Sequence, residues 1–327
     1  MAQKLTCVRR LFGSLLLIGI LGLTAIALLT RRYGWPIYLE VLSHFQVQYF
    51  VLSILCLMLL ALCRQRRLFW MGLLCTAILG ASLAAWYLPP KFLLAANGSN
   101  FRLLIANLNT QNKQYEAVLQ FTRQMNPDLA LFMEVDEAWV QQLNTLSDTL
   151  PYSSGEANPY NSGIIVYSRS ALANPQIVAF GEGSTPSITG SVTVHNQTLE
   201  FVGTHPWPPV RSEPFHSRNR QLDQLGQYVK TVAAPKILMG DLNLSMWSPY
   251  YKRLIRNTEL KNARQGFGIL PSWPTPGSYH FLPYWAPLLF AIPIDHCLLS
   301  PDIPVVDVHT GPNLGSDHRP VVVDLQL

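Results

Sequence analysis

Acidic residues are almost missing from the first 96 positions of this 327-residue chain, where Glu40 stands alone against nine Lys and Arg. Beyond them the bias disappears: fifteen Lys and Arg face eighteen Asp and Glu, so the two parts carry +8 and −3 of the net +5. The basic character belongs to the N-terminal part, and the larger part has no surplus with which to hold a polyanion such as nucleic acid. Cysteine is scarce as well. Cys7, Cys56, Cys63 and Cys75 lie in or beside apolar segments and only Cys297 falls in the larger part, which excludes a disulfide within it and leaves the redox compartment open. The larger part shows no internal repeat.

Long apolar runs are confined to the N-terminal part, at residues 11–30, 45–63 and 68–88. Each is about 20 residues, enough at ~1.5 Å per residue to cross a hydrocarbon core of ~30 Å. Lys4, Arg9 and Arg10 would suit a signal peptide, but the first run is long for one and two more come after it, so three spans are expected over residues 1–96. Arg64-Gln65-Arg66-Arg67 then forms a tight hairpin between the second and third. Its three charges and those of Lys4, Arg9 and Arg10 outnumber Arg31, Arg32, Lys91 and Arg102 by six to four. The positive-inside rule places the N-terminus in the cytoplasm and everything after the third span, which Pro89-Pro90 ends, outside it.

After the polar linker Asn97-Gly98-Ser99-Asn100 the runs become short, and residues 97–327 read as one domain. Residues 101–106 form a buried strand ending in Asn107-Leu108-Asn109. A helix comes next, with Tyr115, Val118, Leu119, Thr122 and Met125 on one face, Asn112 as its cap and Pro127-Asp128 closing it. Residues 129–133 make a second buried strand that delivers Glu134 to its end. The pattern predicts a helix over 137–150, strands over 163–167, 188–194 and 199–202, and a helix marked by Leu222, Leu225, Tyr228 and Val229. Strands over 236–239, 295–299 and 321–325 complete the set. Strands joined sometimes by helices and sometimes by turns imply a mixed α/β domain rather than a doubly wound parallel one.

Polar residues recur where these runs end or begin: Asn107, Glu134, His205, Asp241 with Asn243, Asp295, and Asp317 with His318. Singly, each has an ordinary explanation as a turn former, a capping acid or a loop histidine. Together they line one rim of one sheet system, where hydrolytic chemistry tends to sit. LMGDLN at 238–243, PIDHCLL at 293–299 and GSDHRPVVV at 315–323, with GTHPW at 203–207 upstream and an early strand ending in ANLN, resemble the endonuclease/exonuclease/phosphatase superfamily over roughly residues 100–327.

The resemblance implies a four-layer α/β/β/α sandwich of two mixed sheets and a divalent-metal phosphoesterase site, taking Mg²⁺ or Mn²⁺, at one end. By the family pattern Glu134 is the principal metal ligand, with Asn107 and Asp317 contributing. Asp241 orients and deprotonates the attacking water, and Asn243 holds phosphoryl oxygens. His318 stabilises the phosphorane or assists the leaving oxygen, and Asp295 pairs with its other ring nitrogen. His205 matches a second histidine, although its neighbours Pro206-Trp207-Pro208-Pro209 depart from the pattern. Asn109 stands where some nuclease branches have an acid. Arg218, Asn219 and Arg220 open the next helix and are expected on a solvated face; His216, His280 and His296 receive no role.

Two features bear on substrate, and both point to the membrane. An extracytoplasmic domain of charge −3 has no counterion-release affinity for nucleic acid. The apolar stretch 281–293, just before Asp295, is either a buried connection within the sandwich or a membrane-facing lip with Tyr284 and Trp285 at headgroup level. The leading expectation is a membrane-tethered hydrolase of phosphate or pyrophosphate esters, lipid-linked, similar in architecture to teicoplanin-resistance-type polyprenyl-pyrophosphate phosphatases. An extracytoplasmic nuclease is the alternative enzyme, and a catalytically silent membrane interaction module the alternative from another class.

Overall fold

The computed structural model of the protein describes residues 2–88, 98–233 and 235–327. The chain divides into two compact units, one holding Met1–Leu88 and the other nearly all of the remaining residues. Pro89-Pro90, Lys91 and Asn97, which bear on the end of the third span, the charge count and the linker, lie outside the described residues.

In the first unit α1 (Ala2–Tyr33), α2 (Ile37–Ser43), α3 (Gln46–Leu62) and α4 (Arg66–Ala84) succeed one another. Two helices, Cys7–Tyr33 and Arg66–Ala84, are long and apolar enough to cross a membrane. The span expected over 45–63 is shorter than that: α3 qualifies only together with α2, from which it bends by 65°, so the count is two, or three with the bent pair taken as one. Arg31 and Arg32 belong to the last turn of α1, and Arg66 and Arg67 to the first turn of α4, so the hairpin loop is shorter than the four residues expected. Ile20, Leu60 and Cys63 pack together, and Gly72 lets α4 close on them: a Cβ there would meet Ile20 at 3.1 Å.

The second unit opens with β1 (Phe101–Asn107), α5 (Tyr115–Met125), β2 (Leu129–Met133) and α6 (Glu137–Leu143). The helix expected to reach residue 150 ends earlier and continues as a 3₁₀ turn over Asn144–Asp148. Asn112 is not the cap residue of α5, which is Gln114; its Oδ1 instead accepts the Gln114 amide at 2.9 Å in an Asx turn just outside the helix. Then come β3 (Tyr152–Glu156), β4 (Ile164–Ser168), β5 (Leu172–Ala179), β6 (Pro186–Val194) and β7 (Gln197–Thr204). The chain ends with α7 (Ser212–Thr231), β8 (Lys236–Asp241), α8 (Pro249–Thr258), β9 (Lys261–Asn262), β10 (Asp295–Leu299), β11 (Val305–Thr310) and β12 (Val321–Leu325).

The strands form two six-stranded sheets, ordered β11-β12-β1-β2-β4-β3 and β5-β6-β7-β8-β10-β9. Each has one parallel pair at its centre, β1 with β2 across α5 and β7 with β8 across α7, and antiparallel neighbours elsewhere. Alternation along the strands decides the layers. Leu103, Ile105, Leu131 and Met133 of one sheet meet Ile188, Phe201, Ile237 and Met239 of the other in a shared core. The intervening Leu104, Ala106, Ala130 and Phe132 face outward under Val118 and Leu119 of α5 and Trp139 and Leu143 of α6. On the far side Gln221 of α7 hydrogen-bonds Thr185, just before β6, and Ser187 and Thr204 of the second sheet. Helices therefore cover both outer faces of a sheet-on-sheet sandwich.

Candidate active site

The topology gathers one end of both sheets into a single rim. Parallel strands β1, β2, β7 and β8 end there, so Asn107, Glu134, His205 and Asp241 arrive at their C-terminal ends. The antiparallel β10 and β12 begin there, so Asp295 and the 315–320 turn arrive at their starts. The register sets Asp295 directly opposite Asp241. Three turns leave their strands through left-handed residues, Asn109 (φ 59°), Glu134 (φ 55°) and Asn243 (φ 51°). A left-handed non-glycine residue costs about 1–3 kcal/mol, an expense that gathers at functional sites. Gly240 is needed for closeness: a Cβ on it would lie 1.9 Å from the Thr204 carbonyl of the adjoining strand.

Asp241, fully buried, is the hub. Its Oδ1 accepts the Asn243 amide at 2.8 Å, while Oδ2 lies 3.3 Å from Asn107 Nδ2, 3.4 Å from His205 Nε2 and 3.7 Å from His318 Nε2. Its own amide donates to Met133 Sδ at 3.2 Å, tying one sheet to the other beneath the site. Glu134 Oε1 accepts from Asn107 Nδ2 at 2.8 Å and stands 3.7 Å from His205 Nε2. On the other side His318 Nδ1 and Asp295 Oδ2 are 2.9 Å apart, both side chains buried. Asp317 accepts from Asn109 Nδ2 at 2.9 Å and from Trp273 Nε1 at 3.0 Å.

The model of the endonuclease/exonuclease/phosphatase family matches residues 104–318, which hold every one of these side chains. The chain belongs to that family. Its fold is shared with TDP2 of D. rerio complexed with single strand DNA product (15% identity, 69% of this chain and 99% of that one, TM-score 0.57). It is shared equally with an endonuclease/exonuclease/phosphatase from Beutenbergia cavernae (19%, 70% and 72%, TM-score 0.55). A third is a 3′ phosphatase from Neisseria bound to product DNA hairpin (17%, 70% and 100%, TM-score 0.55). No curated protein matches the chain. As a member of this family the protein is a hydrolase acting on phosphate esters, a class dependent on a divalent metal.

The electrostatics fit such a cation. Burial pushes the Glu134 carboxyl upward, more than His205 and Asn107 offset. Asp241 and Asp295 beside it are buried, Glu134 itself keeps 13% of its side chain exposed, and imidazoles and amides approach these three acids at the rim. Buried carboxylate and carbonyl oxygens gathered in this way are what a hard divalent ion takes. Asp241, Asp295 and His318 also bring one ligand atom each within 4.8 Å of one another. The 2.9 Å contact shows that within this trio Asp295 is committed to the imidazole. Burial would lower His318, but the Asp295 and Asp241 carboxylates outweigh it and hold the ring up at about 10. His205 is likewise held above its usual range: burial opposes, while Asp241 and Glu134 favour the charged ring.

Of the eight residues singled out in the sequence, Asn107, Glu134, His205, Asp241, Asp295 and His318 form one chain of contacts. Asn243 and Asp317 flank it. The Asn243 carboxamide donates to the Pro206 carbonyl at 2.9 Å, and its main-chain N–H donates to Asp241 Oδ1. Arg218 is not on a solvated face. It is fully buried, with Nη1 donating to the Asn243 carbonyl at 2.8 Å and its guanidinium over the Phe215 ring. His296 is buried between the Leu244 carbonyl and Asn262 and braces the fold. Trp273, Ser272 and Ser316 were not legible as site residues. Ser316 Oγ donates to the Asn107 carbonyl and accepts from His318 N, and Ser272 Oγ receives the Asp295 amide. Only the adjacency of Ser316 to Asp317-His318 could have signalled any of them.

Proposed function

We propose that the protein is a membrane-tethered, metal-dependent hydrolase of phosphate or pyrophosphate esters whose substrate is lipid-linked. The observation that carries the hydrolase is the convergence of Asp241 with two imidazoles, one of them backed by a buried carboxylate. Glu134, Asn107 and Asp317 would hold the cation, Mg²⁺ or Mn²⁺, which supplies positive charge to a phosphoryl oxygen. Asp241, fixed through Oδ1 by the Asn243 amide, presents Oδ2 to a water and takes its proton. His318, kept protonated by Asp295, offers an Nε2–H to the charge that develops on the phosphorane or leaving oxygen. His205, between Asp241 and Glu134, adds a second N–H.

Tethering and a lipid-linked substrate rest on the two or three apolar N-terminal helices. The six-to-four excess of Lys and Arg supports a cytoplasmic N-terminus and an extracytoplasmic catalytic domain, residues 97–327. A nuclease is the second reading, favoured by the DNA bound to the TDP2 and Neisseria structures and opposed by the −3 charge of this domain. One experiment separates them: detergent-solubilised full-length protein is offered a polyprenyl pyrophosphate and a supercoiled plasmid, with Mg²⁺ and with chelator. Phosphate release without nicking supports the lipid-linked reading. Nicking without release assigns the nuclease, and neither reaction leaves a silent interaction module.

A further inference from the structure

Residues 265–294 contain no Asp, Glu, Lys or Arg, in a unit that is otherwise well charged. Within them Phe281, Tyr284, Trp285, Leu288, Leu289 and Phe290 are exposed, Phe281 to 82%, while Ala286, Pro287 and Ile292 are buried. A buried connection is thereby excluded for most of residues 281–293. Contiguous exposed apolar side chains of this kind mark an interaction surface.

The segment is bolted to the catalytic turn at its base. Thr275 N donates to the Asp317 carbonyl at 3.0 Å and Arg319 N to the Ser272 carbonyl at 2.8 Å, while Trp273 bridges to Ile292 and holds the Asp317 carboxylate. Between this lip and the rim opens a polar cleft of about 430 Å³, lined by Gln114, Ser278, His280, Tyr284, Asn313 and Asp317. Its volume suits a small molecule, and its polar lining a polar head rather than a chain of methylenes.

We propose that the 281–290 lip seats in the headgroup region of a lipid bilayer and that the cleft at its foot receives the polar head of a membrane-embedded phosphate ester. This rests on the hydrolase reading above and deepens it: the lipid tail stays in the bilayer and only the head reaches Glu134 and Asp241. The bilayer is chosen over a protein partner because the chain brings one with it. Thirteen residue steps separate Leu88 from Phe101, a reach of up to about 45 Å at ~3.5 Å per residue. Phe101 begins β1 at the end away from Asn107, and a seven-residue strand covers only about 20 Å at ~3.3 Å per residue. The length of the connection therefore sets no bar to membrane contact by the lip. Tyr284 and Trp285 are the side chains that favour this depth.

The test uses full-length protein in proteoliposomes of phosphatidylcholine and phosphatidylglycerol, with p-benzoylphenylalanine replacing Phe281, Phe290 or Tyr152. Tyr152, 45% exposed, pairs with Ser168 opposite Leu129, at the end of the sheet remote from the rim. Irradiation should attach lipid at 281 and 290 and not at 152. Lipid at 152 alone, or protein adducts at 281 and 290, would overturn the proposal. In parallel, Phe281→Ser, Trp285→Ser and Phe290→Ser, combined, should slow hydrolysis of vesicle-embedded polyprenyl pyrophosphate tenfold or more. Turnover of the water-soluble bis(p-nitrophenyl) phosphate should stay within twofold, since none of the three lines the cleft. Equal loss on both substrates, or loss on neither, removes the lip. Failure of the unaltered protein on both substrates removes the hydrolase and leaves the crosslinks to judge the lip alone.

Discussion

Replacing Asp295 by Asn keeps the shape of the site and removes one charge, which makes it the sharpest probe of the proposed chemistry. At 2.9 Å and an effective dielectric of ~20, a carboxylate and an imidazolium attract by about 6 kcal/mol. That attraction helps hold His318 near 10 against the burial that would lower it. Without it the ring keeps only the support of Asp241 and Asp317 against burial and falls from about 10, so the charged donor to the phosphorane is weakened. The expected drop in kcat is about a hundredfold to a thousandfold, the scale of a positioned acid–base group. Stability responds with a definite sign. Because the folded His318 is raised, its contribution is full below about pH 6.5 and fades as pH climbs through about 10, while that of Asp295, whose carboxyl is lowered by the same ring, is lost in acid. Asp295→Asn should therefore lower the melting temperature at pH 6 and matter less at pH 10. The assay is bis(p-nitrophenyl) phosphate hydrolysis by metal-loaded full-length protein, with thermal unfolding at both pH values. A folded variant with kcat within threefold of the parent would refute the dyad.

Asp241→Ala and His318→Ala should each reduce turnover at least about a hundredfold while the protein still melts cooperatively; equal activity in either would mean the site is misplaced. Millimolar Mg²⁺ or Mn²⁺ should raise the melting temperature by relieving the buried acids, and Glu134→Gln should abolish the rise; an unchanged rise would put the cation elsewhere. Gly240→Ala should prevent folding or lower the melting temperature by several degrees, since its Cβ meets a carbonyl at 1.9 Å and its φ of 142° suits only glycine. Burial pushes the Cys297 thiol up to about 12. It should resist thiol reagents at pH 8 until the protein unfolds, and the stability it lends should decline as pH rises from about 9 toward 12.

The sequence by itself determined the interior of the catalytic unit. All eight inner strands were legible, because a strand between two neighbours and two covered faces must be apolar along its length. The four that were not, β3, β5, β9 and β11, are the edge strands of the two sheets. An edge is half-solvated and carries polar residues and proline, as in Tyr152–Glu156 and Leu172–Ala179, so no apolar run announces it. The polar residues at strand ends were legible for the converse reason: a carboxylate or histidine interrupting a buried run needs a cause. Only the tertiary structure decided which groups meet. Asp241 and Asp295 are 54 positions apart in sequence, and the antiparallel register of β8 and β10 alone makes them neighbours. The same holds for the Arg218 guanidinium at Asn243, the Trp273 indole on Asp317 and the outward turn of the 281–290 side chains. Each depends on where a loop or helix is packed by residues far away in the chain, and local pattern carries no record of that.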